Sequence, residues 1–243
     1  MIRNFTMKRI HLVMALFAAT VVGGAQAGDV SGTVTLKGTP PPERDIAPLK
    51  NDPNCGKLHS EMPKTRFYAV GANSGLADVI VVIKGVPSAK SAGASAAPVV
   101  LDQKGCEYLP YVMAVQTDQK ILAKNSDPVL HNVHAIPSTP GNQEKNQAQA
   151  AGGPDLTFTF TKPENFLKFQ CDVHNWMFAY VSVFDHPYFA VTDKDGKFTI
   201  KNVPDGKYTI QAFHRRAAPA ASPASKEVEV KGGTTADFAL DVK

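Results

Sequence analysis

Short runs of alternating apolar and polar residues, separated by glycine and proline, constrain the fold of this chain most strongly. The stretch FAVTDKDGKFTIKNVPDGKYTIQAF, residues 189–213, shows the pattern, with two runs of period two on either side of Val203-Pro204-Asp205-Gly206. Glycine and proline each occur 18 times in 243 residues, and no long stretch has the 3.6-residue period of an amphipathic helix. The sequence therefore predicts an all-β protein.

The predicted strands share this alternation or a continuous run of β-branched residues. They lie at residues 30–36, 77–84, 111–115, 120–125, 131–136, 156–161, 166–171, 179–184, 189–192, 197–201, 207–213, 227–230 and 236–240. Two Ala/Ser-rich stretches, residues 88–98 and 217–225, predict surface loops, and the polar stretch at residues 140–154 predicts a long exposed loop.

The first 27 residues have the features of a cleavable export signal. Three basic residues come first, an apolar stretch follows at residues 12–22, and Ala25-Gln26-Ala27 offers small residues for cleavage. The apolar stretch is too short to span a bilayer comfortably, so we expect a periplasmic mature chain from Gly28 with no membrane span. Removing the signal also removes most of the formal net charge of +4, and no clustered basic surface indicates nucleic-acid binding.

The two ends of the mature chain resemble one β-sandwich family. Residues 189–213 are similar to the carboxypeptidase regulatory-like, or transthyretin-like, sandwich, and VSGTVTLKGTP and ADVIVVIKG near the N-terminus resemble its first strands. This resemblance implies that residues 28–98 and 187–243 form one sandwich into which the block 99–186 is inserted. A single continuous sandwich without an inserted unit is the alternative.

One short segment of the block offers several soft metal donors. In FLKFQCDVHNWMFAYVSVF, Cys171 ends an apolar strand face, and His174 and Met177 follow before the next strand. The neighbouring strand NSDPVLHNVHAI adds two histidines three residues apart, which point to opposite faces of a strand. We expect His131 to face the same ion and His134 to face outward.

This donor set predicts copper. A thiolate and two imidazoles with a weak axial thioether are the ligands of blue-copper electron-transfer sites. Zinc has no particular use for the methionine, and hard cations prefer oxygen. The predicted cofactor is therefore one copper ion, cycling between Cu(I) and Cu(II). Each residue alone has an ordinary structural explanation, and a core-packing role fits Met177 nearly as well as an axial one.

The same residues resemble the cupredoxins. Cys171-x-x-His174-x-x-Met177 is similar to their ligand loop, with the short spacing of the amicyanin type, and LHNVH at residues 130–134 resembles their HNV strand. The resemblance implies a Greek-key β-sandwich over residues 99–186, with Asn132 tying the ligand segments together near the cysteine sulfur. It also implies that His174 is the ligand nearest solvent. Together with the regulatory-like segment, the chain resembles methylamine-utilisation-like proteins.

The remaining cysteines and histidines have simpler expectations. With Cys171 assigned to copper, Cys55 and Cys106 are the natural disulfide pair of an exported protein. Trp176, between two ligands, is expected to shield the site or to contact a partner. The isolated histidines His59, His186 and His214 are expected to have structural or surface roles, although a second metal site at His134, His186 or His214 stays open.

These expectations favour a periplasmic one-electron carrier that is not an enzyme. Its partner would be a redox protein such as a c-type cytochrome or an oxidase. No Ser-His-Asp order, phosphate-cradling glycine loop or paired carboxylates suggest catalysis. The alternatives are a copper-binding or copper-delivery protein without a physiological electron-transfer role, and a binding module without metal.

Overall fold

The computed structural model describes Met1 and residues 26–87, 89–216 and 224–242. Nearly all of its regular structure is β-strand, which confirms the all-β class. The predicted export signal, residues 1–27, lies outside the described residues except at its two ends. Within the described ranges, no helix is long and apolar enough to cross a membrane.

The elements follow one another in short steps along the chain. The strands are β1 (Ala27–Lys37), β2 (Ile80–Lys84), β3 (Val99–Gln103), β4 (Tyr108–Leu109), β5 (Val112–Gln116), β6 (Ile121–Asn125), β7 (His131–Ile136), β8 (Lys145–Gln149), β9 (Leu156–Phe158), β10 (Glu164–Gln170), β11 (Phe178–Phe184), β12 (Phe189–Val191), β13 (Lys197–Pro204), β14 (Gly206–Phe213), β15 (Ala224–Val230), β16 (Thr234–Thr235) and β17 (Phe238–Asp241). A short helix, α1 (Ala47–Asn51), and three-residue 3-10 helices at Gly56–Leu58, Ala72–Ser74 and Gly93–Ser95 complete the regular structure.

These strands form four sheets in two pairs. The middle of the chain supplies a five-stranded sheet in the order β5-β11-β10-β7-β8 and a four-stranded sheet in the order β4-β3-β6-β9. The chain ends supply the other pair, in which β13-β1-β16 includes β17 beside β1, and β12-β2-β14-β15 forms the second sheet. Strands from the N-terminal and C-terminal segments therefore pair directly, as β1 does with β13 and β2 with β14.

Each pair of sheets encloses an apolar core. The central core lies between the middle sheets and contains Leu101, Phe158 and Phe169, while the outer core contains Val30, Ile83 and Ile210. A third cluster, which includes Val82, Tyr180 and Phe213, packs between the two pairs. Residues before position 99 also reach the central core, because Leu49 and Cys55 are buried there. The insertion boundaries at residues 99 and 186 stay a prediction.

The expectation of a long exposed loop at residues 140–154 was wrong in part. Residues 145–149 form β8, which pairs antiparallel with β7 from His131 opposite Gln149 to Ala135 opposite Lys145. The inward side chain is a glutamine rather than an apolar residue, so the hydrophobic alternation that marks a strand is missing. Gln149 is 2% exposed, and its Nε2 donates to the carbonyls of Ala123 at 3.0 Å and Pro154 at 2.9 Å.

Candidate metal centre

The loop from Cys171 to Met177 joins two neighbouring strands of the five-stranded sheet. It leaves β10 after Gln170 and enters β11 at Phe178. Two backbone hydrogen bonds close it: the Cys171 amide donates to the Met177 carbonyl at 3.0 Å, and the Met177 amide donates to the His174 carbonyl at 2.8 Å. The inward-facing positions of β10 continue to Cys171 in the loop, since Leu167, Phe169 and Cys171 are all buried. The local sequence thus fixes three sulfur- and nitrogen-bearing side chains at one end of the sheet.

The neighbouring strand β7 begins with a histidine that faces this loop. The Nδ1 atoms of His131 and His174 are 2.9 Å apart, and the Cys171 sulfur is 3.8 Å from His174 Nδ1. One donor atom from each of the three residues lies within 4.8 Å of the other two, and all three residues are buried. The structure therefore brings His131, Cys171 and His174 together, as the sequence predicted.

These three donors fit a soft metal ion. Metal-bound nitrogen and sulfur lie about 2.0–2.3 Å from an ion such as zinc, so donors 2.9–3.8 Å apart can share one ion. A thiolate with two imidazoles is a donor set typical of copper electron-transfer sites. Met177 is 1% exposed and belongs to the central core. Its role as an axial ligand stays a prediction.

The proton affinities of Cys171 and His174 favour metal binding. Burial opposes ionisation of the Cys171 thiol, but hydrogen bonds from His131 and from nearby backbone amides outweigh it and lower the pKa of the thiol. Burial and the adjacent His131 lower the pKa of His174, which keeps a lone pair available near neutral pH. Both shifts favour the protonation states in which cysteine and histidine bind metals.

The buried carboxylate of Asp127 hydrogen-bonds to the Nε2 atom of His131. His131 Nε2 lies 2.9 Å from Asp127 Oδ2, and the Asp127 side chain also accepts from the backbone amides of Gly105 at 2.6 Å and Cys106 at 2.7 Å. Burial would lower the pKa of His131, yet the hydrogen bonds to Asp127 and Cys171 raise it. An ion would take the place of the Nδ1 proton while Nε2 still donates to Asp127, and such carboxylate partners orient metal-binding histidines. Sequence reasoning missed Asp127, although its spacing of four residues before His131 was visible.

Asn132 connects the two ligand segments. Its side-chain Oδ1 accepts from the backbone amide of Asp172 at 2.7 Å and from the Cys171 thiol at 3.3 Å. The backbone amide of Asn132 donates to the Cys171 sulfur at 3.5 Å. Beneath it, the Tyr108 hydroxyl donates to the Asn132 carbonyl at 2.5 Å. One side chain thus holds β7 and the Cys171–Met177 loop at a fixed separation.

Three further histidines, His134, His186 and His214, lie away from the three donors. His134 points to the opposite side of β7, where its Nδ1 is 3.0 Å from Asp172 Oδ2 and its Nε2 is 2.7 Å from Glu144 Oε1. His186 packs between aromatic rings of Phe184 and Tyr188. His214 is 3% exposed, and burial lowers its pKa to about 4. The metal-donor groups found among the described residues include none of these three histidines.

His174 is the most exposed of the four predicted ligands, as expected, but it is still buried. It is 8% exposed, against 0% for His131 and 1% for Cys171 and Met177, and the segment at residues 46–63 lies against it. The Cys55 sulfur, a carboxylate oxygen of Asp52 and a ring nitrogen of His174 all lie within 4.8 Å of one another. On another side, the Trp176 ring packs against His174 with centroids 5.1 Å apart. Apart from the disulfide expected at Cys55 and the minor role expected for His59, the sequence predicted nothing for residues 46–63, since they carry no periodic pattern.

A disulfide joins this covering segment to the turn behind His131. Cys55 and Cys106 are bonded to each other, and both are fully buried. The Cys106 sulfur also lies within 4.8 Å of a carboxylate oxygen of Asp127 and a ring nitrogen of His131. Trp176 Nε1 donates to the Cys106 carbonyl at 3.1 Å. The disulfide is therefore adjacent to both imidazoles, and Cys171 is the free thiol.

Comparisons with known proteins give weak similarities to copper proteins. No protein-family model and no curated protein matches the chain. Among solved structures, it is similar to a Cu-containing nitrite reductase (NirK) from Thermus scotoductus SA-01, with 19% identity and a TM-score of 0.32 over 36% of this chain and 22% of that chain. It is also similar to a Cu(I) mutant of amicyanin, with 20% identity and a TM-score of 0.32 over 42% of this chain and 97% of that chain.

The chain thus spans about a fifth of the nitrite reductase and nearly all of amicyanin. Similarity at this level does not establish a shared function. The candidate metal centre is defined by the donor residues of this chain alone.

Proposed function

We propose that this protein binds one copper ion through His131, Cys171, His174 and Met177 and carries single electrons in the periplasm. Its partners would be redox proteins such as a c-type cytochrome or an oxidase. Copper bound at this centre would supply one-electron exchange between Cu(I) and Cu(II). The observation that carries the proposal is the convergence of one thiol and two imidazole nitrogens, all buried, at one end of a β-sheet.

The supporting residues favour a rigid centre. Asp127 fixes the ring of His131, and Asn132 fixes the loop that carries Cys171 and His174. Because these partners are hydrogen-bonded before any ion arrives, the donors need little rearrangement when the charge of an ion changes. A centre that reorganises little suits rapid electron exchange better than substrate turnover. A single ion also lacks the additional coppers that oxygen reduction would require, so we propose a carrier and not an enzyme.

Copper delivery is the second candidate. Burial of all three donors speaks against it, since a delivery protein must release its ion readily to a partner. In the described residues His131 has no exposed surface, and Cys171 is 1% exposed. A carrier exchanges electrons rather than ions, so burial of its ligands costs it less.

Optical and EPR spectra of the copper-loaded mature protein test the proposal. We expect an intense visible thiolate-to-Cu(II) band, which Cys171→Ser removes and the remote control His186→Ala keeps. Full absorption in Cys171→Ser would contradict the assignment. Weak colour with tight Cu(I) binding would instead favour delivery, and the absence of copper uptake would favour a binding module without metal.

A further inference from the structure

Residues 46–63 form a closed loop, called here the cap loop. Its neck is held by backbone hydrogen bonds: the Ile46 amide donates to the Pro63 carbonyl at 3.0 Å, and the Thr65 amide donates to the Arg44 carbonyl at 2.8 Å. A compact loop whose ends meet can move as a unit about its neck.

The cap loop is packed rather than loose. Leu49 and Cys55 have no exposed surface and belong to the central core, and Ile46 and Met62 pack against the same core. Asp52 Oδ1 accepts from the backbone amides of Asn54 at 2.9 Å and Cys55 at 2.8 Å, which shapes the turn above His174. The tip of the loop is thereby pressed against the metal-binding side chain.

Two bonds tie the cap loop to the turn at Gly105 and Cys106. One is the Cys55–Cys106 disulfide. The other is the hydrogen bond between His59 Nε2 and the Gly105 carbonyl, at 2.6 Å. The turn itself is fixed to Asp127 through two backbone amides. The disulfide therefore connects the cover of His174 to the turn whose backbone amides donate to Asp127, the carboxylate that orients His131.

We propose that the cap loop is a gate over the metal centre and that the Cys55–Cys106 disulfide locks it shut. Metal ions and solutes reach His174 and Cys171 when the loop swings away from the central core. A dithiol reductant would unlock the gate, since its two thiols are oxidised to a disulfide while Cys55 and Cys106 each gain a proton and an electron. The part of this inference that concerns metal ions rests on the proposed function.

The physical reason is that non-covalent contacts and a disulfide oppose opening of the cap loop to different extents. Without the disulfide, the packing of Leu49, Ile46 and Met62 on the central core and a few hydrogen bonds oppose opening, and local openings can cost less free energy than global unfolding. With the disulfide, the tip cannot leave unless the turn at Gly105 leaves Asp127 as well. Opening then requires part of the central sandwich to come apart.

Alkylation of Cys171 in the metal-free protein tests the gate directly. Iodoacetamide is followed by mass spectrometry in the wild type, in Cys55→Ala/Cys106→Ala, and in Leu58→Ala as a control on the exposed surface of the same loop. Alanine is chosen because both half-cystines are fully buried. We expect alkylation of Cys171 to be more than about tenfold faster in the double variant, and unchanged in Leu58→Ala.

Equal rates in a double variant with native near-UV circular dichroism would overturn the gate. Should that variant fail to fold, wild-type protein treated with dithiothreitol gives the same test, with Cys171 adducts identified in their own peptide. Release of copper to a chelator forms a second arm and should be faster after unlocking. Faster alkylation in a protein that takes up no copper would leave the gate standing and remove the proposed function.

Discussion

Asp127→Asn should both destabilise the metal-free protein and weaken its metal site. The carboxylate is 5% exposed and accepts three hydrogen bonds, from the amides of Gly105 and Cys106 and from the His131 ring. Asparagine has one oxygen, so its amide nitrogen must face at least one of these donors. In the best orientation it takes the place of Oδ1 and opposes the Gly105 amide.

The magnitude follows from that count. Losing one hydrogen bond to a charged group costs about 1.5–3 kcal/mol of unfolding free energy. The two remaining bonds weaken because their acceptor is no longer charged, so we expect a total loss of about 3 kcal/mol. For a chain of this size the loss lowers the melting temperature by about 6–12 °C. Because Asp127 orients His131, copper affinity should also fall by about 10–100-fold.

Urea unfolding of the metal-free protein and a chelator-competition titration measure the two effects. Asp118→Asn is the matched control, since Asp118 is exposed at a turn with a positive φ of 61° that asparagine tolerates. An Asp127→Asn variant with the urea midpoint of the wild type would refute the reasoning, because the buried carboxylate would then contribute nothing.

Three further perturbations separate the remaining parts of the structure. Met177→Leu should keep copper and raise its reduction potential in voltammetry, whereas complete loss of copper would give the thioether a larger role than a weak axial ligand. Asn132→Ala leaves the Asp172 amide without its acceptor and should cost about 1–3 kcal/mol of unfolding free energy; an unchanged urea midpoint would contradict this. His214 has a folded pKa of about 4 against about 6.5 unfolded, so the unfolded state binds the proton more readily. Its contribution of about 3 kcal/mol is therefore present above pH 6.5 and lost as the pH falls towards 4. His214→Gln should flatten that part of the pH–stability curve, and an unchanged slope would contradict the shift.

Most strands could be predicted either from a period of two, as at residues 197–201, whose burial alternates, or from a continuous apolar run, as at residues 179–184, which are buried throughout. The donors His131, Cys171 and His174 lie together as expected. A strand at residues 145–149 escaped prediction because its inward residue, Gln149, is polar and is satisfied by hydrogen bonds instead of apolar packing.

The cover of the candidate metal centre could not be predicted for a different reason. A periodic pattern of apolar residues predicts which residues form a strand or a helix. The cap loop has almost no such pattern, and its position depends on a disulfide between residues 51 apart in the sequence. Pairing Cys55 with Cys106 by elimination does not reveal that this bond lies against His131 and His174. Nor does the sequence reveal that the Asp127 carboxylate accepts hydrogen bonds both from the turn at Gly105 and Cys106 and from the His131 ring.

X-ray absorption at the copper edge of the loaded mature protein tests the central claim most directly, because it reports the atoms bound to the ion. The account predicts one sulfur neighbour at a short distance from copper and two imidazole nitrogens, and it predicts that Cys171→Ser removes this sulfur neighbour. A spectrum with only nitrogen and oxygen neighbours, or one that is unchanged in Cys171→Ser, would contradict it.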